Sequence, residues 1–125
     1  MKRALLVAGF LFTVPGSILP AHAQDAAAGQ VVFKSICNLC HDATEGKNRV
    51  GPSLYGVVGR HAGSVPGFTY SDVLKGSGIT WNEDMLDKWI SGPQAVVPGT
   101  RMTYGGLKDD KKRHDVIAFL KTLHH

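Results

Sequence analysis

The 125-residue sequence has two cysteines, no unbroken apolar run of membrane-spanning length and little excess charge. Each shortage excludes something. Two cysteines cannot staple a disulfide-rich scaffold. They also fall short of a structural zinc site, which wants four ligands at set spacing; His22, His61, His114, His124 and His125 are scattered. The longest apolar run, Ala4 to Val14, is broken by Pro15 and Gly16. A spanning helix needs about 20 such residues. With 14 basic and 10 acidic side chains, the chain lacks the clustered basic face of a nucleic-acid binder. There is no internal repeat, low-complexity tract or convincing strand pattern.

What the N-terminus does have is the plan of an export signal. Met1-Lys2-Arg3 is a charged start, the apolar run follows, and Ala21-His22-Ala23 ends it with small residues. Residues 1–23 are therefore expected to be a secretory signal peptide cleaved after Ala23, and residues 24–125 one domain. Loss of Lys2 and Arg3 leaves 12 basic and 10 acidic residues in that domain. The expected location is periplasmic, without stable membrane insertion.

The two cysteines both lie in Cys37-Asn38-Leu39-Cys40-His41. This is the C-x-x-C-H signature of covalent haem attachment. Positions i and i+3 share a helix face, so both sulfurs can bind one porphyrin while His41 reaches its iron. A thioredoxin-type dithiol would need a preceding strand in a βαβ setting, and none is seen. The expected cofactor is one haem c, covalent through Cys37 and Cys40.

Helix signals frame the motif. Asp25 is a good N-cap, and Val32, Phe33, Ile36, Leu39 and Cys40 form an apolar stripe, so the first helix is expected from Ala26 to about Cys40. Gly29 within it suits a crossing helix that needs a bare backbone. Asp42 to Gly67 has no sustained period and many Gly and Pro residues. Long irregular stretches are uncommon in compact domains unless functional, and a rigid cofactor can supply the missing core. Ser71 to Lys75 reads as a short helix. Thr80-Trp81-Asn82-Glu83 matches a capping box, opening a helix with Met85, Leu86, Trp89 and Ile90 on one face, stopped by Gly92-Pro93. Val96 to Gly106 reads as loop. Asp109 or Asp110 caps a last helix whose apolar face is Val116, Ile117, Phe119, Leu120 and Leu123. The expected fold is all-α: about three main helices, short ones and long loops around the haem.

The second axial ligand decides between carrier and catalyst. Met85 sits on a core stripe. Met102 lies on a Gly/Pro-rich loop, 61 residues after His41, and is the stronger candidate. An open sixth position would instead suit a peroxidase-like or gas-binding haem protein. Lys108, Lys111, Lys112 and Arg113 form the one basic run, read either as a solvated helix start or as a docking face.

The chain resembles the small soluble class I cytochromes c of the c2-like kind. The residues that carry this are Gly29, Phe33, the Cys37–His41 motif, Gly51-Pro52-Ser53-Leu54-Tyr55-Gly56, Gly59-Arg60, Pro66-Gly67-Phe68-Thr69-Tyr70, Gly78-Ile79-Thr80-Trp81, Pro98-Gly99-Thr100-Arg101-Met102 and Ile117-Ala118-Phe119-Leu120. The resemblance implies the cytochrome c fold and a one-electron carrier, not an enzyme, with His41 and Met102 on the iron. It implies that the Pro52 carbonyl accepts a hydrogen bond from His41, that Arg60, Tyr70 and Trp81 surround a haem propionate, and that Trp89 and Thr100 line the haem. Gly29 and Phe33 would meet Val116 and Phe119. Implied partners are redox proteins: a quinol-oxidising complex, oxidase, reaction centre or dehydrogenase. The protein would be a monomer. Three positions depart from the pattern. Trp89 replaces a frequent tyrosine, Leu74 a common polar residue, and Ile36 a lysine beside the haem edge, which weakens any lysine-ringed docking face.

Overall fold

The computed structural model describes residues 9–12, 14–16 and 24–125. Most of the expected leader, including its cleavage site after Ala23, lies outside the described residues. The elements are α1 (Ala26–Ser35), a 3-10 turn (Cys37–Leu39), α2 (Asp72–Lys75), α3 (Glu83–Ser91), α4 (Pro93–Val96) and α5 (Asp110–Lys121). Among the described residues, extended backbone pairs only at an isolated antiparallel bridge between His61 and Thr80. The domain is all-α, and none of its described helices is long and apolar enough to cross a membrane.

Caps fix where the helices start. The Asp25 carboxylate accepts from the amides of Ala27 and Ala28, satisfying two donors that the first turn of α1 leaves free. Asp109 does the same for Lys112 at α5, and Ser71 for Leu74 at α2. At α3 the cap is Asn82, which accepts from Met85 at 2.8 Å. The expected capping box starting at Thr80 does not form. The Thr80 hydroxyl is paired with His61 Nδ1 at 3.1 Å, and its backbone is in the bridge.

The first helix is shorter than its apolar stripe. It ends at Ser35, whose hydroxyl takes the Val32 carbonyl at 3.0 Å, a competition typical of serine near helix ends. Ile36 then leaves helical geometry at φ −120°, ψ −63°. The chain restarts as the 3-10 turn, so Cys37 to Cys40 are not a continuation of α1. α4 was not expected either: Pro93 stops α3 yet opens a new turn, its fixed φ suiting a first helical position.

The core is built by Phe33, Trp81, Leu86, Trp89, Ile90, Val97, Val116, Ile117 and Leu120. α1 and α5 cross at Gly29. A Cβ there would lie 1.8 Å from the Asp115 carbonyl oxygen and 2.9 Å from the Val116 nitrogen. Only a glycine backbone fits. One turn on, the Phe33 and Phe119 rings pack with centroids 5.2 Å apart. The crossing is also tied by a hydrogen bond: Asp115 Oδ1 accepts from the Asp25 amide at 3.0 Å, while Oδ2 accepts from Lys111 Nζ of the same helix at 2.7 Å.

The basic run is partly structural. Arg113 is only 7% exposed and donates to Asp87, Asp110 and the Leu107 carbonyl. Lys108 reaches the Ser91 carbonyl and Lys111 pairs with Asp115. Arg113 thus holds α5 to α3 and Lys108 holds the preceding loop to the end of α3, while Lys111, paired within α5, and Lys112 are exposed at the helix start.

Candidate functional site

The 3-10 turn suits two attachment points. With three residues per turn, positions i and i+3 eclipse, so Cys37 and Cys40 stand on one side. The turn is closed by Cys40 N and His41 N, which both donate to the Cys37 carbonyl at 3.1 and 2.9 Å. Both thiols are free. Cys37 is half-buried against the core and Cys40 is exposed. Burial pushes the Cys37 thiol up to about 11. A thiol held protonated is a poor attacking group at neutral pH.

His41 follows directly. Its Nδ1 lies 2.7 Å from the Pro52 carbonyl oxygen. A carbonyl only accepts, so Nδ1 carries the proton and Nε2 keeps a free lone pair. Burial lowers the imidazole's affinity for a second proton; the Pro52 bond opposes this, and the charges of Arg60 and Arg49 reinforce it. A neutral imidazole with one nitrogen pinned and the other free is the state a metal ligand requires. The ring lies flat on Gly51, where a Cβ would be 2.2 Å from Cε1 and 2.8 Å from Nε2.

Side chains that sequence reasoning passed over hold this loop. Arg49 donates to the carbonyls of Asn38 and His41, the latter at 3.2 Å. Gly51 N donates to the Cys40 carbonyl at 2.9 Å. Asn48 accepts from Ser53 N at 2.9 Å and donates to the Pro66 carbonyl at 3.1 Å. The backbone and side chain of Thr44, with the Lys47 ammonium, hold the Asp42 carboxyl down at about 2. No motif marks these residues; only the Gly51-Pro52 pair carried a signal.

The remaining candidates line the interior. Trp81 and Trp89 are buried, their rings tilted with centroids 5.0 Å apart. Tyr70 is buried and its hydroxyl accepts from Val65 N at 3.2 Å. The Arg60 carbonyl accepts from Trp81 N at 2.9 Å, and Gly59 N donates to the Trp81 carbonyl at 2.8 Å. Arg60 Nη1 donates to the Tyr55 carbonyl at 2.9 Å. Burial pushes its guanidinium below the usual range, with the Tyr70 phenol opposing. Arg60 Nε is buried with no partner among the described residues. A buried cation with an idle donor wants an anionic acceptor, and a carboxylate carried by a bound group fits.

Met102 is half-buried and packs, like Cys37, against the buried core. Its loop is pinned by Gln94 of α4, another residue without a sequence signal. Gln94 Nε2 donates to the Thr100 carbonyl at 2.8 Å and the Met102 carbonyl at 3.5 Å, while its Oε1 accepts from Gly99 N at 3.1 Å. Gly99 takes φ +84°, a region open mainly to glycine. Thr100 is buried, its hydroxyl accepting from Met102 N at 3.4 Å. Two residues on, burial raises the Tyr104 phenol, and the Cys37 thiol adds to the shift.

Among the described residues, no cluster of three or more His, Cys, Asp or Glu could hold a metal ion. One imidazole and one thioether suffice only where a macrocycle supplies the equatorial ligands. Two eclipsed thiols, one free Nε2, one thioether and one idle buried guanidinium fit a haem.

The comparisons with known proteins agree. The cytochrome c family profile matches residues 26–124. Cytochrome c2 of Blastochloris viridis is 50% identical over 112 residues, 89% of this chain and 87% of that protein. Cytochrome c2 of Rhodopila globiformis is 54% identical over 99 residues, covering 79% and 93%. Among solved structures, cytochrome cH from Methylobacterium extorquens superposes with a TM-score of 0.73 at 48% identity, covering 78% of this chain and 98% of that one.

Proposed function

Because the chain belongs to the cytochrome c family, we propose that it is an exported, periplasmic one-electron carrier whose His41 and Met102 hold the two axial positions of its haem iron. The protein is a small electron-carrier cytochrome with one covalently attached haem c. The finer reading is carried above all by the hydrogen bond from His41 Nδ1 to Pro52, which presets a neutral ligand. When bound, the haem supplies an iron that gains or loses one electron without making a bond to substrate. The chain's own residues set the conditions. Cys37 and Cys40 anchor the porphyrin. The soft Met102 thioether and the dry Trp81–Trp89 surroundings favour the ferrous state and raise the potential. Arg60 offsets the charge of a buried propionate. Gln94 and Arg49 brace the loops on which the two axial ligands sit, so geometry changes little between oxidation states. Export by a leader cleaved after Ala23 accords with a periplasmic role. Donor and acceptor are redox proteins such as a quinol-oxidising complex, oxidase, reaction centre or dehydrogenase.

The test is an optical redox titration of the purified holoprotein. The ferric form is expected to show the iron–methionine-sulfur charge-transfer band, and Met102→Ala to abolish it. A wild type without that band, binding cyanide or carbon monoxide readily, would identify a peroxidase-like or gas-binding protein instead.

A further inference from the structure

We infer that the exported chain closes its own N-terminus: the α-amine of Gln24 attacks its side-chain amide and leaves a neutral five-membered lactam, a pyroglutamyl end. The inference rests on the export reading above, in which the leader is removed after Ala23 and Gln24 becomes the first residue.

The reaction needs no partner. The α-nitrogen forms a bond to the Cδ carbon, and the bond from Cδ to the side-chain nitrogen breaks. That nitrogen leaves as ammonia, taking the proton that the α-nitrogen gives up. Nothing is oxidised or reduced. Nucleophile and carbonyl carbon belong to one residue, so closure has the advantage of an intramolecular step. An α-amine ordinarily titrates at about 7.7–8.0, far below a lysine. At neutral pH a fraction of it is therefore unprotonated and able to attack.

The surroundings of Gln24 permit this. The residue is exposed and stands immediately before the N-cap of α1. Among the described residues, the hydrogen bonds at this end begin at the next position. Asp25 N donates to Asp115 Oδ1, and the Asp25 carboxylate accepts from Ala27 and Ala28. The fold thus holds the chain from Asp25 onward. Closure consumes only the α-amine and the side-chain amide of Gln24. The peptide bond to Asp25 stays, and with it the tie to Asp115.

The nearby acids are also engaged. An idle carboxylate would hold the amine as its ammonium and suppress the attack. Asp25 is taken up by two helix amides, and Asp115 by the Asp25 amide and Lys111 Nζ. Lys111 and the positive end of α1 oppose an ammonium further.

Closure protects the seam behind it. Proteolysis concentrates at chain ends. Trimming through Asp25 would remove both the cap of α1 and the hydrogen bond across the α1–α5 crossing. A lactam offers an aminopeptidase no free amine.

The experiment is mass spectrometry of the holoprotein exported with its own leader, intact and after tryptic release of residues 24–34. Samples are acidified at lysis, which protonates any free amine and suppresses closure during handling. The expected peptide is one ammonia lighter than the encoded one. An amine-acylating reagent should label its Lys34 but not its N-terminal nitrogen. Pyroglutamyl aminopeptidase should remove one residue from it and leave Asp25 first. Gln24→Ala, exported alike, has no side-chain amide to attack and should be labelled at both nitrogens. A mature end at Gln24 with the encoded mass and an acylated α-nitrogen would overturn the inference and leave the export reading intact. A first residue other than Gln24 would refute cleavage after Ala23, and the inference with it.

Discussion

Gly29→Ala should be among the most damaging single-methyl additions to this protein. In a solvated helix the same change stabilises by about 1 kcal/mol. Here the new Cβ would fall 1.8 Å from the Asp115 oxygen, 2.4 Å from its carbon and 2.9 Å from the Val116 nitrogen. Ordinary contact begins near 3.5 Å, so the helices must part by roughly 1.7 Å. All three obstructing atoms are backbone, and no rotamer change relieves them. Overpacking costs about 3 kcal/mol at the upper end of its usual range. Separation also loosens the Phe33–Phe119 pair and the contacts of Val116, since even a 1 Å gap forfeits about half of a dispersion contact. The net loss should be about 2–3 kcal/mol. For a domain of this size that lowers Tm by about 10–20 °C. Thermal melts followed by far-ultraviolet circular dichroism, with the exposed neighbour Gln30→Ala as control, provide the measurement. A Gly29→Ala protein melting within about 3 °C of wild type, against the roughly 4–8 °C that each kcal/mol commands, would refute the reasoning.

Three further outcomes are expected. Gly51→Ala drives the His41 ring off the Pro52 carbonyl, so the ring Nδ1 proton should exchange with solvent at least about tenfold faster by NMR, the equivalent of one hydrogen bond. Gln94→Ala frees the Met102 loop from three tethers and should accelerate cyanide binding to the ferric protein about tenfold, if loop opening costs about 1.4 kcal/mol less; an unchanged rate would show the loop is held otherwise. Asp115 is held below the usual carboxylate range by the Lys111 ammonium and the Asp25 amide, with burial opposing. Its folded form prefers ionisation more than its unfolded form does. Its contribution is therefore complete above the ordinary value of 3.8 and lost as pH falls through the lower folded value. Asp115→Asn should cost about 1–3 kcal/mol at neutral pH, and denaturant melts of the two proteins should converge in acid.

Much of the fold was legible in local patterns. The Asp25 and Asp109 caps, the apolar faces of α3 and α5 and the Gly29 crossing each follow from a short stretch. The α1 boundary was not, because Ile36, Leu39 and Cys40 keep the apolar spacing of a helix after the backbone has left it. Thr80 looked like a cap because nothing local reveals that His61, 19 residues earlier, claims its hydroxyl. Arg113 looked solvated, like the rest of its run, because its partners include Asp87, 26 residues away. Within the site, Cys37, Cys40 and His41 announce themselves by spacing, and Met102 by its loop. Arg49, Asn48 and Gln94 do not. A polar side chain in a loop reads alike whether it faces water or a distant carbonyl, and only the folded chain separates the two.

The hydrogen bond between Asp25 and Asp115 joins residues 90 apart, so every site residue lies within a loop closed by α1 and α5. Closing a loop that long costs about 4 kcal/mol before any contact repays it. On a growing chain, α1 has no partner until residues 110–121 have been made. A truncation in α5 should therefore carry beyond the α1 crossing to His41 and Met102, which lie inside the loop that α5 closes.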